Sequence, residues 1–199
     1  MPARPRGLLL SARGDLARAA KAFELALEHH AALDMPLERA RTLLALGQLL
    51  RRRKERRKAR EAFQEALDAA PALDEAKLNL AIALFNRNRK EDIDHGIKLL
   101  DELLAKQPEN GRALYFKAIV LQHVGKAEEA IPLLEKVSRQ YPQDGAVWYL
   151  LGICRQRVGQ SPEVELQKAI EFRPYLYSAY YQLYQVAMRA EQEAKAKEY

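Results

Sequence analysis

Four prolines, Pro71, Pro108, Pro142 and Pro174, punctuate the chain at intervals of 37, 34 and 32 residues. A period near that length holds two short helices and a turn. A chain built this way must bury each unit's apolar face against the next unit. Proline has no amide hydrogen to donate and pushes the residue before it out of helical geometry, so each one ends a helix. Ten residues after these prolines stand Ala81, Ala118, Gly152 and Tyr184, and Gly47 stands eleven after Pro36.

Between the prolines the apolar residues recur at helical spacing. Leu43, Leu46, Gly47 and Leu50 share one face, as do Leu80, Ala81 and Leu84, then Trp148, Leu151 and Gly152, then Tyr180, Leu183 and Tyr184. A second stripe follows each turn: Ala19, Phe23, Ala26; Ala59, Phe63, Ala66; Gly96, Leu100, Leu103; Ala130, Leu134, Val137. A small residue on the first helix admits the second helix closely, and an aromatic or leucine fills the remaining space. The spacing predicts helices over 3–12, 15–33, 37–52, 56–70, 74–87, 91–106, 110–123, 127–140, 144–157, 162–172 and 176–190, a fragment from 193, and no strand. Ser161-Pro162-Glu163 reads as an N-cap followed by proline at the first helical position.

Trp148, Leu151, Gly152, Ala169 and Pro174 resemble the tetratricopeptide (TPR) pattern Trp-x2-Leu-Gly-x2-Tyr, Ala-x3-Phe, Pro, with Arg155 where that pattern has tyrosine. Leu43, Leu46, Gly47, Leu50, Ala59, Phe63, Ala66 and Pro71 repeat it. The resemblance implies an all-α, right-handed α-solenoid of about five helix-turn-helix units in a single array over 1–199. The units are 1–33, 40–73, 74–110, 111–144 and 145–176, with a partial unit over 177–199. Residues 74–110 carry about three extra residues near Asn86–Asp92, and 145–176 lack about two near Ser161. Within residues 1–70, Gly14-Asp15-Leu16 with Ala19, Phe23 and Ala26, and the run from Met35-Pro36 to Gly47, resemble the helical repeats of large ATP-binding LuxR-type bacterial regulators. There is no Gly-x4-Gly-Lys-Ser/Thr loop, nor room for the DNA-binding module of those proteins. Residues 71–199 resemble general bacterial TPR proteins.

TPR arrays present their first helices on a concave side, and the resemblance carries a peptide-binding groove onto this chain. The aligned row is Leu44, Leu78, Tyr115, Tyr149 and Tyr181. One turn further lie Gln48, Ile82, Ile119, Ile153 and Gln185, with Asn79 and Gln185 as polar handles. Tyrosine offers a large contact area and a hydroxyl that can orient a ligand backbone. The carboxylate clamp of chaperone co-factors falls on Leu44, Gln48, Asn79, Arg112 and Phe116, and only Asn79 matches it.

Charge is unevenly spread. Residues 1–70 hold 15 Lys and Arg against 9 Asp and Glu, and the remainder holds 18 of each. The same stretch has no Ile, Val, Tyr or Asn, whereas the rest has 7, 7, 9 and 4. This composition seam near 68–74 has two readings, a codon-biased gene with uneven drift or a join between two repeat segments, natural or engineered; an engineered fusion would be a scaffold with no native function. Eight cations lie in residues 51–60, and Arg52, Arg53, Arg56 and Arg57 are the candidate contacts for a polyanion or nucleic acid. Against that reading the run crosses a turn, has no interleaved aromatic for stacking, and has Glu55, Glu61 and Glu65 at hand as counter-charges.

Nothing assembles into a catalytic or cofactor site. His29 and His30 are adjacent and point about 100° apart on a helix, so they do not chelate one ion. Cys154 lies on the apolar face near Trp148 and Leu151, where a buried thiol is expected. Four serines, one threonine and no glycine-rich loop leave neither a triad nor a phosphate cradle. The longest apolar runs, such as Leu8–Leu10, are far short of the roughly 18–20 residues of a membrane helix. Residues 1–10 lack the apolar stretch of a secretory signal. One cysteine makes no internal disulfide. The expectation is a cytoplasmic, non-catalytic protein-interaction scaffold without cofactor, metal or membrane partner. The stripe Tyr180, Leu183, Tyr184 and Ala187, with only Glu193 to Tyr199 to cover it, suggests self-association at that end.

Overall fold

The computed structural model describes residues 2–189. These form eleven α-helices: α1 (Ala3–Ala12), α2 (Leu16–Ala32), α3 (Pro36–Arg52), α4 (Arg56–Ala69), α5 (Asp74–Phe85), α6 (Lys90–Lys106), α7 (Gly111–His123), α8 (Ala127–Gln140), α9 (Gly145–Arg157), α10 (Glu163–Phe172) and α11 (Tyr177–Arg189). No strand occurs among the described residues. The fragment expected from 193 lies outside them. The fold class is all-α, a succession of helical hairpins, and the helices fall within about two residues of the limits expected from apolar spacing.

Local chemistry sets the ends. Asp15 caps α2 by accepting from the Arg18 amide at 3.1 Å. Asn110 caps α7 through the Ala113 amide at 3.1 Å, and Asp144 caps α9 through the Ala146 amide at 2.9 Å. Ser161 and Pro162 depart from expectation. Helix α10 begins at Glu163, Pro162 is itself the capping residue, and no side chain caps this end. The Pro162 carbonyl closes the first turn by accepting from the Leu166 amide at 3.0 Å. Glu163 and Glu165 in that turn complement the helix dipole instead.

The turns within hairpins share one device. Gly14, Gly125 and Gly159 have φ of 83°, 84° and 78°, and Lys54 takes the equivalent place at 63°. Each is followed by an amide that bonds back five residues, at 3.0 Å from Asp15 to Leu10, 2.9 Å from Glu55 to Leu50, 2.8 Å from Lys126 to Leu121 and 2.9 Å from Gln160 to Arg155. This is the left-handed helix terminus that glycine favours. In the longer turn after α5, Asn88 takes the left-handed conformation, at φ 51°.

The small-against-large pattern has a direct steric cause. A Cβ on Gly47 would stand 2.5 Å from the Phe63 ring, and one on Gly7 would stand 2.6 Å from the Phe23 ring. Both phenylalanines are essentially fully buried. Where leucine replaces the aromatic the approach relaxes, and a Cβ on Gly152 would meet Leu166 at 3.1 Å.

The chain divides into two compact units, Met1–Ala105 and Lys106–Tyr199. In the first, consecutive helices from α1 to α5 pack on one another, so α4 and α5 are in contact across the composition seam at 68–74. In the second, consecutive helices from α7 to α11 do the same.

Candidate functional site

The expected groove residues are described unit by unit. In the first unit Leu44 and Leu78 are buried core, 7% and 4% exposed. Asn79 is fully buried, its amide donating to the Glu75 carbonyl at 2.8 Å and its Oδ1 accepting from Arg51 at 3.1 Å. Those bonds engage both ends of the amide, so Asn79 holds α5 to α3 and offers no handle to a ligand. Gln48 is half-buried and donates to Glu75 at 2.9 Å, and Ile82 is half-buried.

In the second unit the tyrosine row is graded. Tyr115 and Tyr149 are half-buried, whereas Tyr181 is 59% exposed. Burial, reinforced by the nearby Asp144 carboxylate, pushes the Tyr115 phenol above its ordinary pKa. Tyr149 packs with Trp148 against the cluster of Leu166, Ala169, Ala179 and Leu183. Ile119, Ile153 and Gln185 are half-buried. Tyr181 and Gln185 open onto a cavity of about 420 Å³ between α9 and α11, shared with Gln156, Arg157, Gln182 and Arg189. Sequence reasoning missed these last four residues. Their signal was present: Gln156 and Arg157 are the polar end of α9, one turn beyond Ile153. Arg157 is held by donating to the Gln122 carbonyl at 2.7 Å.

Arg155, out of place in the repeat pattern, has a partner on each side. Its guanidinium lies 3.1 Å from Glu135 and 3.0 Å from Glu165, and Glu165 is only 4% exposed. An acid that α10 buries thus requires a base on α9, where the consensus tyrosine would leave it unneutralised.

The basic run is largely tied down. Arg51 donates to Asn79, and Arg52 donates to the Ser11 carbonyl at 2.9 Å and its hydroxyl at 3.1 Å. Glu55 bridges Arg53 at 2.8 Å and Lys58 at 3.0 Å, and Arg57 lies 3.6 Å from Glu61. Its salt-bridge with Lys58, aided by Arg53, holds the Glu55 carboxyl below the usual range. Arg56 makes no ion pair among the described residues. Burial pushes the Cys154 thiol up to about 11, which favours the protonated thiol over the thiolate at neutral pH.

Helical hairpins closed by left-handed turns, with a small residue facing a large one, define a TPR protein. Residues 20–147, well over half of the chain, match the family model of the cytochrome c-type biogenesis protein H TPR domain, and the chain belongs to that family. No curated protein sequence matches it. Among solved structures it is similar to MamA 41-end from Desulfovibrio magneticus RS-1, at 25% identity and a TM-score of 0.73, over 80% of this chain and 89% of that one. It is similar to YrrB, described as a TPR protein with an unusual peptide-binding site, at 21% identity and a TM-score of 0.74, over 92% and 90%. A TPR protein from Parabacteroides merdae ATCC 43184 aligns at 18% identity and a TM-score of 0.78, over 98% of this chain and 75% of that one. At these identities the likeness is one of fold. No helix of the described residues is long and apolar enough to cross a membrane.

Proposed function

We propose that the chain is a non-catalytic scaffold that binds a peptide or partner helix along the first helices of its second unit. The observation that carries the reading is the exposed Tyr181 ring beside Gln185, opening onto a polar-lined cavity, with Tyr149 and Tyr115 continuing the row at greater depth. An exposed tyrosine flanked by amide side chains suits an apolar ligand anchor together with hydrogen bonds to the ligand backbone. The peptide-binding site described for YrrB, whose fold this chain shares, supports the class of ligand. Leu44, Leu78 and Asn79 drop out of the proposed contact surface because they are buried. Ile119 and Ile153 remain as partly accessible members, whereas Gln48 and Ile82, in the first unit, lie outside this surface.

The competing reading, a polyanion module on Arg52, Arg53, Arg56 and Arg57, is weakened by the pairing of Arg52 with Ser11 and of Arg53 with Glu55, while Arg57 reaches only Glu61, at 3.6 Å, and stays exposed. The seam at 68–74 is read as a join of two repeat segments within the interaction array.

The test is capture of a partner on the immobilised chain, identification by mass spectrometry, and titration of that partner against Tyr149→Ala with Tyr181→Ala. At least a tenfold loss (about 1.4 kcal/mol) is expected with the helical signal intact. Unchanged affinity moves the ligand off these helices. Micromolar DNA binding at physiological salt, abolished by neutralising the four arginines, would favour the polyanion reading instead.

A further inference from the structure

The first unit carries a second, unrelated feature. A groove of about 880 Å³ runs along α2, walled by the start of α1 on one side and the start of α3 on the other. Its floor is the stripe Arg18, Lys21, Ala22, Leu25, Ala26 and His29, at the i, i+3, i+4 spacing of one helical face. The twelve residues from Arg18 to His29 span about 18 Å of helix, a little over three turns. Leu25 at the centre is 48% exposed and Met35 at the wall is 39% exposed.

Charge surrounds this apolar strip and is mostly of one sign. Lys21 and Arg6 make no ion pair among the described residues, and Arg18 reaches only Asp15, at 3.6 Å with its side chain 76% exposed. The one acid in the groove, Glu38, is neutralised twice. It accepts from Arg4, and from Arg41 at 2.7 Å. Those guanidinium bonds hold its carboxyl below the usual range against the cost of burial. Arg4 Nε and His30 Nε2 are shielded from solvent and have no hydrogen-bond partner.

From this we infer a docking groove on α2 for an acidic amphipathic helix of a partner protein. The length matches three turns of helix, the apolar centre matches a stripe of leucines, and the excess positive charge matches flanking acids. A small anion fits less well, because the cations are strung along the groove and do not converge on one point. The inference is independent of the peptide reading above, which concerns α7, α9 and α11.

The probe is a fluorescein-labelled peptide of about 14 residues, with leucines at helical spacing and glutamates flanking them, titrated into the full chain by anisotropy. Two controls accompany it, a scramble of identical composition and the same peptide with lysine for glutamate. Binding by the acidic peptide, at least about tenfold weaker for the scramble and for Arg18→Glu with Lys21→Glu, is expected. The lysine peptide should prefer that reversed variant. Both substituted side chains are exposed, and circular dichroism checks the fold. Leu25→Glu, also exposed, should abolish binding by a separate route. No binding, equal binding of the scramble, or indifference to charge reversal overturns the inference. So does sedimentation showing a dimer that Leu25→Glu dissociates, since a second copy would then be the occupant.

Discussion

Replacing Arg155 with methionine tests whether the departure from the TPR pattern at this position is a structural requirement. Arg155 bridges the half-exposed Glu135 and the buried Glu165. Losing the Glu135 contact costs little, about 0–1 kcal/mol for a pair open to solvent. Losing the Glu165 contact leaves a carboxylate that is 4% exposed without a counter-charge, which typically costs about 3–5 kcal/mol. The expected loss is therefore about 3 kcal/mol at pH 7.

The assay is urea unfolding followed by the fluorescence of Trp148, the single tryptophan, whose indole donates to the Pro142 carbonyl at 2.7 Å within the same unit. Glu165→Gln in the Arg155→Met background should restore most of the loss. Leucine at 165 in that background should be neutral or stabilising, because Arg155 Nε and Glu165 Oε2 have no hydrogen-bond partner even in the native pair. A loss below about 0.5 kcal/mol at pH 7, or one that Glu165→Gln does not restore, would refute the reasoning.

Gly47→Ala should destabilise by about 1–2 kcal/mol in thermal melts despite alanine's better helix propensity, because its Cβ would lie 2.5 Å from Phe63; Phe63→Leu should suppress the effect. Lys54→Gly should stabilise by up to about 1 kcal/mol, since lysine there holds φ at 63°, and an unchanged melting temperature would count against strain at that turn. Cys154, shifted from about 9 to about 11 by burial, contributes stability that is present below about pH 9 and lost as pH rises toward 11. The native chain should therefore lose up to about 2.7 kcal/mol more than Cys154→Ala across that window in urea titrations. Pro132 sits inside α8 and removes one backbone bond, so Pro132→Ala should raise the melting temperature, consistent with about 1–3 kcal/mol.

Helix limits were legible because prolines, turn glycines and apolar stripes act locally, and their spacing survives without knowledge of neighbours. The Gly47–Phe63 and Gly7–Phe23 contacts followed from the same rule of small against large. What spacing left open was depth. Leu44, Leu78, Tyr115, Tyr149 and Tyr181 occupy one aligned position, yet exposure there ranges from 4% at Leu78 to 59% at Tyr181. The difference is set by what packs on each helix, a long-range property that one repeat's pattern does not contain. Asn79 illustrates it. It matched a ligand-binding motif by position, but its amide is satisfied by Glu75 and Arg51.

The same logic separates two kinds of polar residue in a repeat protein. One kind offsets a departure from the pattern: Arg155 answers Glu165, Asn79 answers Arg51, and Arg52 reaches back to Ser11. These are used up in holding hairpins together, and their conspicuous positions in the sequence reflect packing. The other kind borders open space without a protein partner to account for it, as Lys21 and Arg6 do along α2 and Gln185 does beside Tyr181. Binding surfaces in such an array are to be sought among the second kind. Both proposed surfaces are built from it, one on each compact unit, so substitutions at Tyr181 should leave the α2 groove unaffected and charge reversal at Lys21 should leave the tyrosine row unaffected.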